Sequence, residues 1–182
     1  MHVRTARVED AESIGRIHTV AWQVGYEHVF GAERLATMDV EERIARWRQR
    51  LAGKGDAIEG IELLVVEDDE REVVGWAAAG RPEGDDTLDT AELYGLYVDP
   101  ATWSQGAGAA LMRVTLERLA DRGFHEAILW VLEDNPRALG FYERRGWHPD
   151  GTTKIETFFD VPVLVVRYRV ELEPAGASST ST

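Results

Sequence analysis

The chain has 182 residues, a net charge of −13 and no cysteine. Without cysteine there are no disulfides, thiolate metal sites or cysteine nucleophiles. The acidic balance argues against nucleic-acid binding, which needs clustered basic charge. The sequence contains no run of roughly 18 apolar residues that would predict a membrane span. Its N-terminus lacks the pattern of a signal peptide. We therefore expect a cytoplasmic globular protein with no membrane association.

The first half of the chain predicts a mixture of helices and strands. Residues 2–6 (HVRTA) are typical of a short strand, and Asp10 is placed to cap a helix with apolar residues at helical spacing. Residues 22–34 contain two glycines and several aromatics, which predicts an irregular segment. Three regular elements then follow: a helix over Glu41–Leu51 and a hairpin of strands Ile61–Glu67 and Val73–Gly80.

The second half alternates strands and helices around the same predicted sheet. The acidic stretch at residues 82–90 is predicted to be a mobile loop. The expected regular elements are a strand over Glu92–Val98, a helix over Ala107–Arg122, a strand over Ala127–Leu132, a helix over Pro136–Arg145, and strands over Lys154–Phe159 and Val163–Val170. Residues 1–172 are predicted to form one domain, and residues 173–182 a disordered, small and polar tail.

Residues 103–112 (WSQGAGAALM) place two glycines at the start of a predicted helix. A helix N-terminus exposes unpaired N–H groups, and small residues let an anion such as a pyrophosphate approach them. A simple glycine-rich turn would explain a lone pair of glycines. A P-loop is excluded because the closing Gly-Lys-Ser/Thr is missing. A dinucleotide-binding fingerprint fits poorly, because residues 99–105 separate the preceding strand from Gly106.

A second motif, NPRALGFYERRGW, occupies residues 135–147. Asn135 before Pro136 is a strong helix N-cap signal. Tyr142 lies two helical turns later, on the same face as Asn135. Together the two motifs resemble the GNAT superfamily of N-acetyltransferases. That family has Q/R-x-x-G-x-G/A before a helix and N-x-x-A-x-x-F-Y-x-x-x-G-F/W downstream. Trp103 departs from the Gln or Arg usual at its position.

The resemblance covers nearly the whole chain and implies an α/β (α+β) fold. It implies a single mixed, mostly antiparallel central sheet of about seven strands, with helices on both faces and a splay between the two central parallel strands. It also implies acetyl-CoA as co-substrate. The residues expected to contact acetyl-CoA are Leu96, Tyr97, Val98, Trp103, Ser104, Gln105, Gly106, Ala107, Gly108, Ala109, Asn135 and Ala138.

The expected reaction is direct attack of an amine on the thioester in a ternary complex. The resemblance places Tyr142 as the general acid that protonates the leaving thiolate, although a core tyrosine with a hydroxyl partner is the structural alternative. Glu92, or a water chain, is the candidate base; an ordinary strand-end carboxylate is equally compatible with that position. Strand alternation predicts that Glu92, Tyr94, Leu96 and Val98 share one face. The Val98 N–H is expected to polarise the thioester carbonyl.

The acceptor is expected to be an amine of a small molecule or peptide. In this fold the acceptor pocket would be lined by Trp22 and Tyr26, with His28, Phe30, Phe158 and Phe159 near them, although Trp22 and Tyr26 could equally be core residues. His18 and His28 lack metal-ligand company, so no metal site is expected. Two alternatives remain: a non-catalytic acyl-CoA-binding module and a nucleotide-binding enzyme. The resemblance is also compatible with a homodimer.

Overall fold

A computed structural model describes residues 1–54, 60–82 and 89–173. Within these residues seven strands form one sheet. The strands are β1 (His2–Thr5), β2 (Glu62–Glu67), β3 (Val73–Gly80), β4 (Thr90–Val98), β5 (Glu126–Leu132), β6 (His148–Phe158) and β7 (Val161–Glu171). The α-helices are α1 (Ala11–Gly25), α2 (Glu27–Phe30), α3 (Ala32–Leu35), α4 (Val40–Leu51), α5 (Ala107–Asp121) and α6 (Pro136–Glu143). No helix in the described ranges has both the length and the apolarity needed to cross a membrane.

The strand order is β1-β2-β3-β4-β5-β7-β6, and every neighbouring pair except β4–β5 is antiparallel. The parallel pair is short: only Thr90–Glu92 of β4 lies opposite Glu126–Ile128 of β5. Beyond Glu92, β4 continues to Val98 on β3 alone, while β5 continues on β7. The two central strands therefore diverge, which confirms the predicted sheet and its splay.

Side-chain alternation on the strands divides the core into layers on the two faces of the sheet. Leu64 and Val66 of β2 pack in the cluster that contains α5, whereas Val65 packs beneath α1 and α4. The neighbouring β3 follows the same rule, because Trp76 joins Val65 and Ala77 faces α5. Helices thus cover both faces, as the resemblance implied.

Helices α1 and α4 are in close contact, and a glycine permits that contact. A Cβ added to Gly15 of α1 would lie 2.5 Å from Ile44 Cγ1 and 2.9 Å from Ile44 Cα of α4. Any side chain at this position would push the helices apart. The pair packs against β2 and β3 through Ile14, Trp47 and their neighbours.

The sequence predicted that Asp10 caps α1, and this prediction was wrong. The Asp10 side chain makes no capping hydrogen bond to α1. Its two carboxylate oxygens instead accept from Arg4 Nη1 and Nη2 at 2.7 and 2.8 Å, while Arg4 Nε donates to Glu67 at 2.7 Å. The pairing of the buried Asp10 with Arg4, which also joins Glu67 of β2, takes the place of the predicted cap.

Two other predictions require correction. Residues 22–34 are mainly helical, because α1 continues to Gly25 and α2 and α3 follow; Gly31, with φ of +77°, makes the break between them. In β4, the register shifts opposite Ala78 and Ala79, so that Tyr94 is the extra residue of a bulge. Tyr94 consequently packs on the α1 side, whereas Leu96 packs on the α5 side, and the two do not share a face.

The last strands are longer than predicted, and the hairpin between β6 and β7 turns through Phe159 and Asp160, both with positive φ. Residues 83–88 of the acidic loop and residues 174–182 of the tail lie outside the described residues, so mobility and disorder there stay predictions. The extent of the single domain likewise stays a prediction.

Candidate active site

The splay between β4 and β5 opens into a cavity of about 500 Å³. Its walls are the end of β4, the turn before α5, the first turn of α5, and one face of α6. Eleven of the twelve residues expected to contact acetyl-CoA line it, and Gln105 is the exception. Sequence reasoning missed Thr102, and also Ala21 and Gly25 of α1, because no local signal indicates that the end of α1 crosses the splay.

The backbone at the end of β4 has hydrogen-bonding groups turned into this cleft. The Asp99 N–H donates to Val74 O of β3 at 2.9 Å. Because adjacent peptide groups of a strand point in opposite directions, the N–H and C=O of Val98 point away from β3. No β5 residue pairs with them. The Val98 N–H is therefore directed into the splay, at the position expected for an oxyanion donor.

Trp103 holds the turn that follows β4. Its indole Nε1 donates to the Val98 carbonyl at 2.9 Å, and the Arg137 guanidinium lies 3.6 Å from the centroid of one of its rings. The tryptophan thus links the end of β4 to the start of α6 through two contacts. This explains how an aromatic residue serves at a position where the family usually has Gln or Arg.

The turn before α5 is shaped by positive φ angles. Ser104 has φ of +66° and Gly106 has φ of +96°, the latter as the N-cap of the helix. The first backbone hydrogen bond of α5 runs from Ala110 N–H to Gly106 O at 3.0 Å. The amides of residues 107–109 precede it and have no carbonyl one turn earlier in the helix. Three N–H groups and the positive end of the helix dipole therefore meet at the cleft.

Gly108 gives these amides their clearance and allows α6 to approach. A Cβ there would lie 3.1 Å from Phe141 Cε2 and 3.6 Å from Val98 Cγ2. The Phe141 ring consequently rests against the backbone of α5. Arg145 also contacts Phe141. Its guanidinium lies 3.8 Å from the Phe141 ring centroid, and its Nη1 donates to Phe141 O at 2.8 Å.

Three arginines line the same cleft as the amides of α5: Arg137, Arg144 and Arg145. Partial burial lowers the pKa of Arg145, and the neighbouring Arg144 adds to that effect. A concentration of positive charge next to a helix N-terminus suits phosphate groups. In a chain with a net charge of −13, it is a local reversal of the overall charge.

Asn135 caps α6 and also contacts the interior of the cleft. Its Oδ1 accepts from the Ala138 N–H at 3.1 Å, which confirms the predicted cap. The side chain is 8% exposed. Its remaining amide group interacts with the Tyr26 hydroxyl. One side chain therefore starts the helix and connects it to α1.

Three tyrosines, Tyr26, Tyr97 and Tyr142, line the cleft and lie close to one another. Trp22 Nε1 donates to the Tyr97 hydroxyl at 3.1 Å. Burial raises the pKa of Tyr142, and Tyr97 raises it further. The pKa of Tyr26 is raised by the same causes, burial first. All three phenols therefore remain protonated at neutral pH and are available as hydrogen-bond donors.

The structure separates Glu92 from this cluster. Glu92 lies in the paired part of β4, opposite Gly80 and Ile128, and does not line the cleft. Val98 lies six positions further along the strand, which corresponds to about 20 Å. Its side chain faces away from the layer that contains Ala91 and Leu93. A direct role for Glu92 at the thioester therefore has no geometric support, and its role as a base stays a prediction.

The aromatic residues expected around the acceptor mostly contact one another. The Trp22 ring lies 6.0 Å from Phe30 and 5.3 Å from Phe158, centroid to centroid, and Phe30 is 1% exposed. Tyr26 lines the cleft, but Trp22 does not. In the described ranges no group of three or more potential ligands could hold a metal.

Comparison with known proteins places this geometry in a family. A model described as "Acetyltransferase (GNAT) family" matches residues 22–147, more than half of the chain. The chain is 29% identical over 141 residues to the uncharacterized N-acetyltransferase YuaI of Bacillus subtilis, covering 78% of this chain and 76% of that protein. It is 39% identical over 72 residues to the mycothiol acetyltransferase of Rhodococcus erythropolis, covering 40% of this chain but only 24% of that protein.

Solved structures with the same fold contain coenzyme A. The PaiA N-acetyltransferase of Thermoplasma acidophilum, in complex with coenzyme A, has a TM-score of 0.68 at 17% identity, covering 91% of this chain and 96% of that one. The structure of yncA from Salmonella typhimurium, with its cofactor acetyl-CoA, has a TM-score of 0.69 at 20% identity, covering 100% and 99%. These likenesses establish the fold, and the matched family model identifies the chain as a member of the GNAT family of acetyltransferases.

Proposed function

We propose that this protein transfers the acetyl group of acetyl-CoA to a primary amine of a small molecule or peptide, by direct attack in a ternary complex. The observation that carries the proposal is the continuous cleft. Unpaired backbone of β4 leads to the amides of residues 107–109, with Arg144 and Arg145 beside them. An extended thioester with a pyrophosphate at one end requires that combination of groups.

The donor would be held by groups of the chain that match its parts. The amides of residues 107–109, with the arginines beside them, would bind the pyrophosphate. The open backbone of Leu96 would pair with the amides of the pantetheine arm, as an added strand pairs with a sheet edge. The Val98 carbonyl accepts from the Trp103 indole, and the Val98 N–H is the donor that we assign to the thioester oxygen.

Catalysis follows from those positions. The incoming ammonium must lose a proton to water before attack, because its pKa is near 10.4; Glu92 could assist only through intervening waters. The neutral nitrogen forms a bond to the thioester carbonyl carbon. The Val98 N–H stabilises the charge that develops on the oxygen. As the carbon–sulfur bond breaks, Tyr142 donates its proton to the sulfur. The amine nitrogen releases its second proton to solvent, and the Tyr142 phenolate takes a proton back from solvent.

The proposal is tested by thiol release from acetyl-CoA in the presence of a panel of amines, with Tyr142→Phe as the matched variant. We expect wild type to release thiol in an amine-dependent manner. The variant should bind acetyl-CoA with unchanged affinity and lose about 10²- to 10⁴-fold in kcat. Binding without turnover on any amine would indicate a non-catalytic acyl-CoA-binding module. A lack of acetyl-CoA binding by calorimetry would refute the proposal.

A further inference from the structure

Strand β6 forms an open edge of the sheet. In the part of the chain that the structure describes, β6 pairs with β7 on one side and with no strand on the other. Residues 153–155 are exposed along this edge, and Ile155, at 64% exposure, is the most exposed of the large apolar side chains described. A sheet edge with unpaired main-chain groups can accept a further strand.

The regular part of β6 runs from Thr153 to Phe158. Its register with β7 is unbroken over these residues, whereas the register shifts between Pro149 and Thr153. The stretch itself contains no proline and no glycine. Residues 153–158 are therefore straight enough, and chemically able, to form a second ladder of hydrogen bonds along their free side.

The hairpin determines which main-chain groups point outward from this edge. Phe158 faces Val161 across a two-residue turn with positive φ at both positions, so the two form a hydrogen-bonded pair. Because such pairs alternate along an antiparallel ladder, Ile155 and Leu164 form a non-hydrogen-bonded pair. The Leu164 carbonyl accordingly points away from β6 and accepts from the Glu133 N–H at 3.1 Å. The N–H and C=O of Ile155 therefore point out of the sheet.

The side chains on either side of Ile155 are complementary to a second copy of the same strand. Lys154 and Glu156 lie on one face, where Lys154 Nζ is 2.7 Å from Glu156 Oε1. Within residues 153–158, an antiparallel pairing of two copies aligns the most residues when its centre is Ile155 or Glu156. A centre at Glu156 would set that carboxylate against its own copy. A centre at Ile155 sets each Lys154 opposite a Glu156, so the charges favour it.

We propose that two copies of this chain associate through β6, with the strands antiparallel and Ile155 on the two-fold axis. The main-chain groups of the two Ile155 residues bond to each other, and those of Thr153 bond to Thr157 of the other copy. The two Ile155 side chains contact each other and lose exposed apolar surface. The proposal goes beyond acetyl transfer and does not depend on it, because no β6 residue lines the cleft.

The mass of the protein in solution tests this association, measured by sedimentation equilibrium over a range of concentrations. We expect wild type to reach the mass of two chains as the concentration rises. Lys154→Glu would set like charges opposite each other on both sides of the axis, and the dimer Kd should rise at least about tenfold. Adding Glu156→Lys exchanges the two charges and restores opposite pairs, so the double variant should return to within about threefold of the wild-type Kd.

Two further variants separate the edge from other exposed apolar residues. Ile155→Lys places two ammonium groups on the axis and should raise the dimer Kd at least about tenfold. Val24→Lys introduces the same side chain at a position on α1 that is 50% exposed, and it should keep the wild-type Kd. Circular dichroism and acetyl-CoA affinity show that each variant is folded.

Cysteine cross-linking tests the register, because the natural chain has no cysteine. Ile155→Cys brings two thiols together on the axis, within the distance of about 7 Å between Cα atoms that a disulfide can span. Thr153→Cys places its two thiols on opposite sides of the axis, about 14 Å apart along the paired strands. We expect mild oxidation to link Ile155→Cys into covalent dimers at least about tenfold faster than Thr153→Cys.

Three results would overturn the proposal. The first is a wild type that has the mass of one chain at every concentration. The second is a dimer whose Kd is unchanged in folded Lys154→Glu and Ile155→Lys. The third is equal cross-linking of Ile155→Cys and Thr153→Cys. None of these results would affect acetyl-CoA binding or thiol release, so the proposed acetyl transfer stands or falls separately.

Discussion

Gly106 provides a direct test of how backbone shape supports donor binding. Its φ of +96° lies in the region that L-residues rarely adopt, and a Cβ at this position would meet nothing within 4 Å. Gly106→Ala therefore introduces backbone strain without a clash. That strain costs roughly 1–2 kcal/mol. For a protein of this size the melting temperature should fall by about 2–8 °C if the turn keeps its shape.

If the turn relaxes instead, the amides of residues 107–109 move away from their shared direction. The free energy of the strain then weakens binding instead of folding, and it raises the acetyl-CoA Kd about 5- to 30-fold. Isothermal calorimetry with acetyl-CoA and thermal denaturation followed by circular dichroism measure the two terms. We expect the loss of acetyl-CoA affinity to be the larger of the two effects when the acetyl-CoA concentration is below its Kd. Gly106→Asn should recover most of it, since asparagine tolerates the left-handed region.

Gly151 supplies the matched control for this experiment. It has φ of +85°, also has nothing within 4 Å of an added Cβ, and does not line the cleft. Gly151→Ala should lower the melting temperature by a similar amount and leave the acetyl-CoA Kd unchanged. If Gly106→Ala and Gly151→Ala lose the same stability and both bind acetyl-CoA like wild type, the Gly106 turn does not set the position of the binding amides.

Four further predictions follow from the contacts described. Because burial raises the pKa of Tyr142, kcat/KM should rise with pH up to about 10 as the amine loses its proton, with no descending limb. Trp103→Phe removes the indole N–H from the carbonyl at the end of β4, which should cost about 1 kcal/mol and raise KM for acetyl-CoA about fivefold. Gly15→Ala forces its Cβ against Ile44 and should destabilise the protein by about 1–3 kcal/mol, seen as a lower melting temperature. Arg4→Met should lower the melting temperature at pH 7. It should also reduce the further fall of the melting temperature at acid pH.

The acid dependence has a definite sign. Burial works to raise the pKa of Asp10, but the hydrogen bonds from Arg4 and from the Arg7 N–H, together with the charges of both arginines, outweigh burial and the pKa is lowered. Arg4 likewise lowers the pKa of Glu67. A carboxylate with a depressed pKa contributes stability that is present above its ordinary value of 3.8 or 4.5 and is lost as the pH falls through the folded value. Wild type should therefore lose stability below pH of about 4 more steeply than Arg4→Met.

Each of these expectations has a contrary result. A descending limb below pH of about 10 that vanishes in Tyr142→Phe would mean that the Tyr142 phenol ionises normally. An unchanged KM in Trp103→Phe would show that the indole hydrogen bond does not hold the turn. A Gly15→Ala variant as stable as wild type would mean that the helices adjust freely. Parallel acid-denaturation curves for wild type and Arg4→Met would exclude the arginine as the cause of acid sensitivity.

The sequence alone determined the features that depend on local chemistry. The paired glycines before a helical pattern located the amide cluster of residues 106–109, and Asn135-Pro136 located the start of α6. These signals are readable because a glycine with positive φ and an N-cap are each defined by a few neighbouring residues. The spacing of the two motifs then indicated the family, and with it the splayed sheet.

Only the tertiary structure decided how distant residues meet. The bulge at Tyr94 moved that side chain to the face opposite Leu96, Glu92 was left in the paired part of β4, and Arg4 joined Asp10 to Glu67 of β2. The Trp76 ring likewise lies against rings from three other segments of the chain, those of His18, Trp47 and Tyr97. Register and long-range packing set these contacts, and they arise from the balance of burial and pairing over the whole fold rather than from any short stretch of sequence.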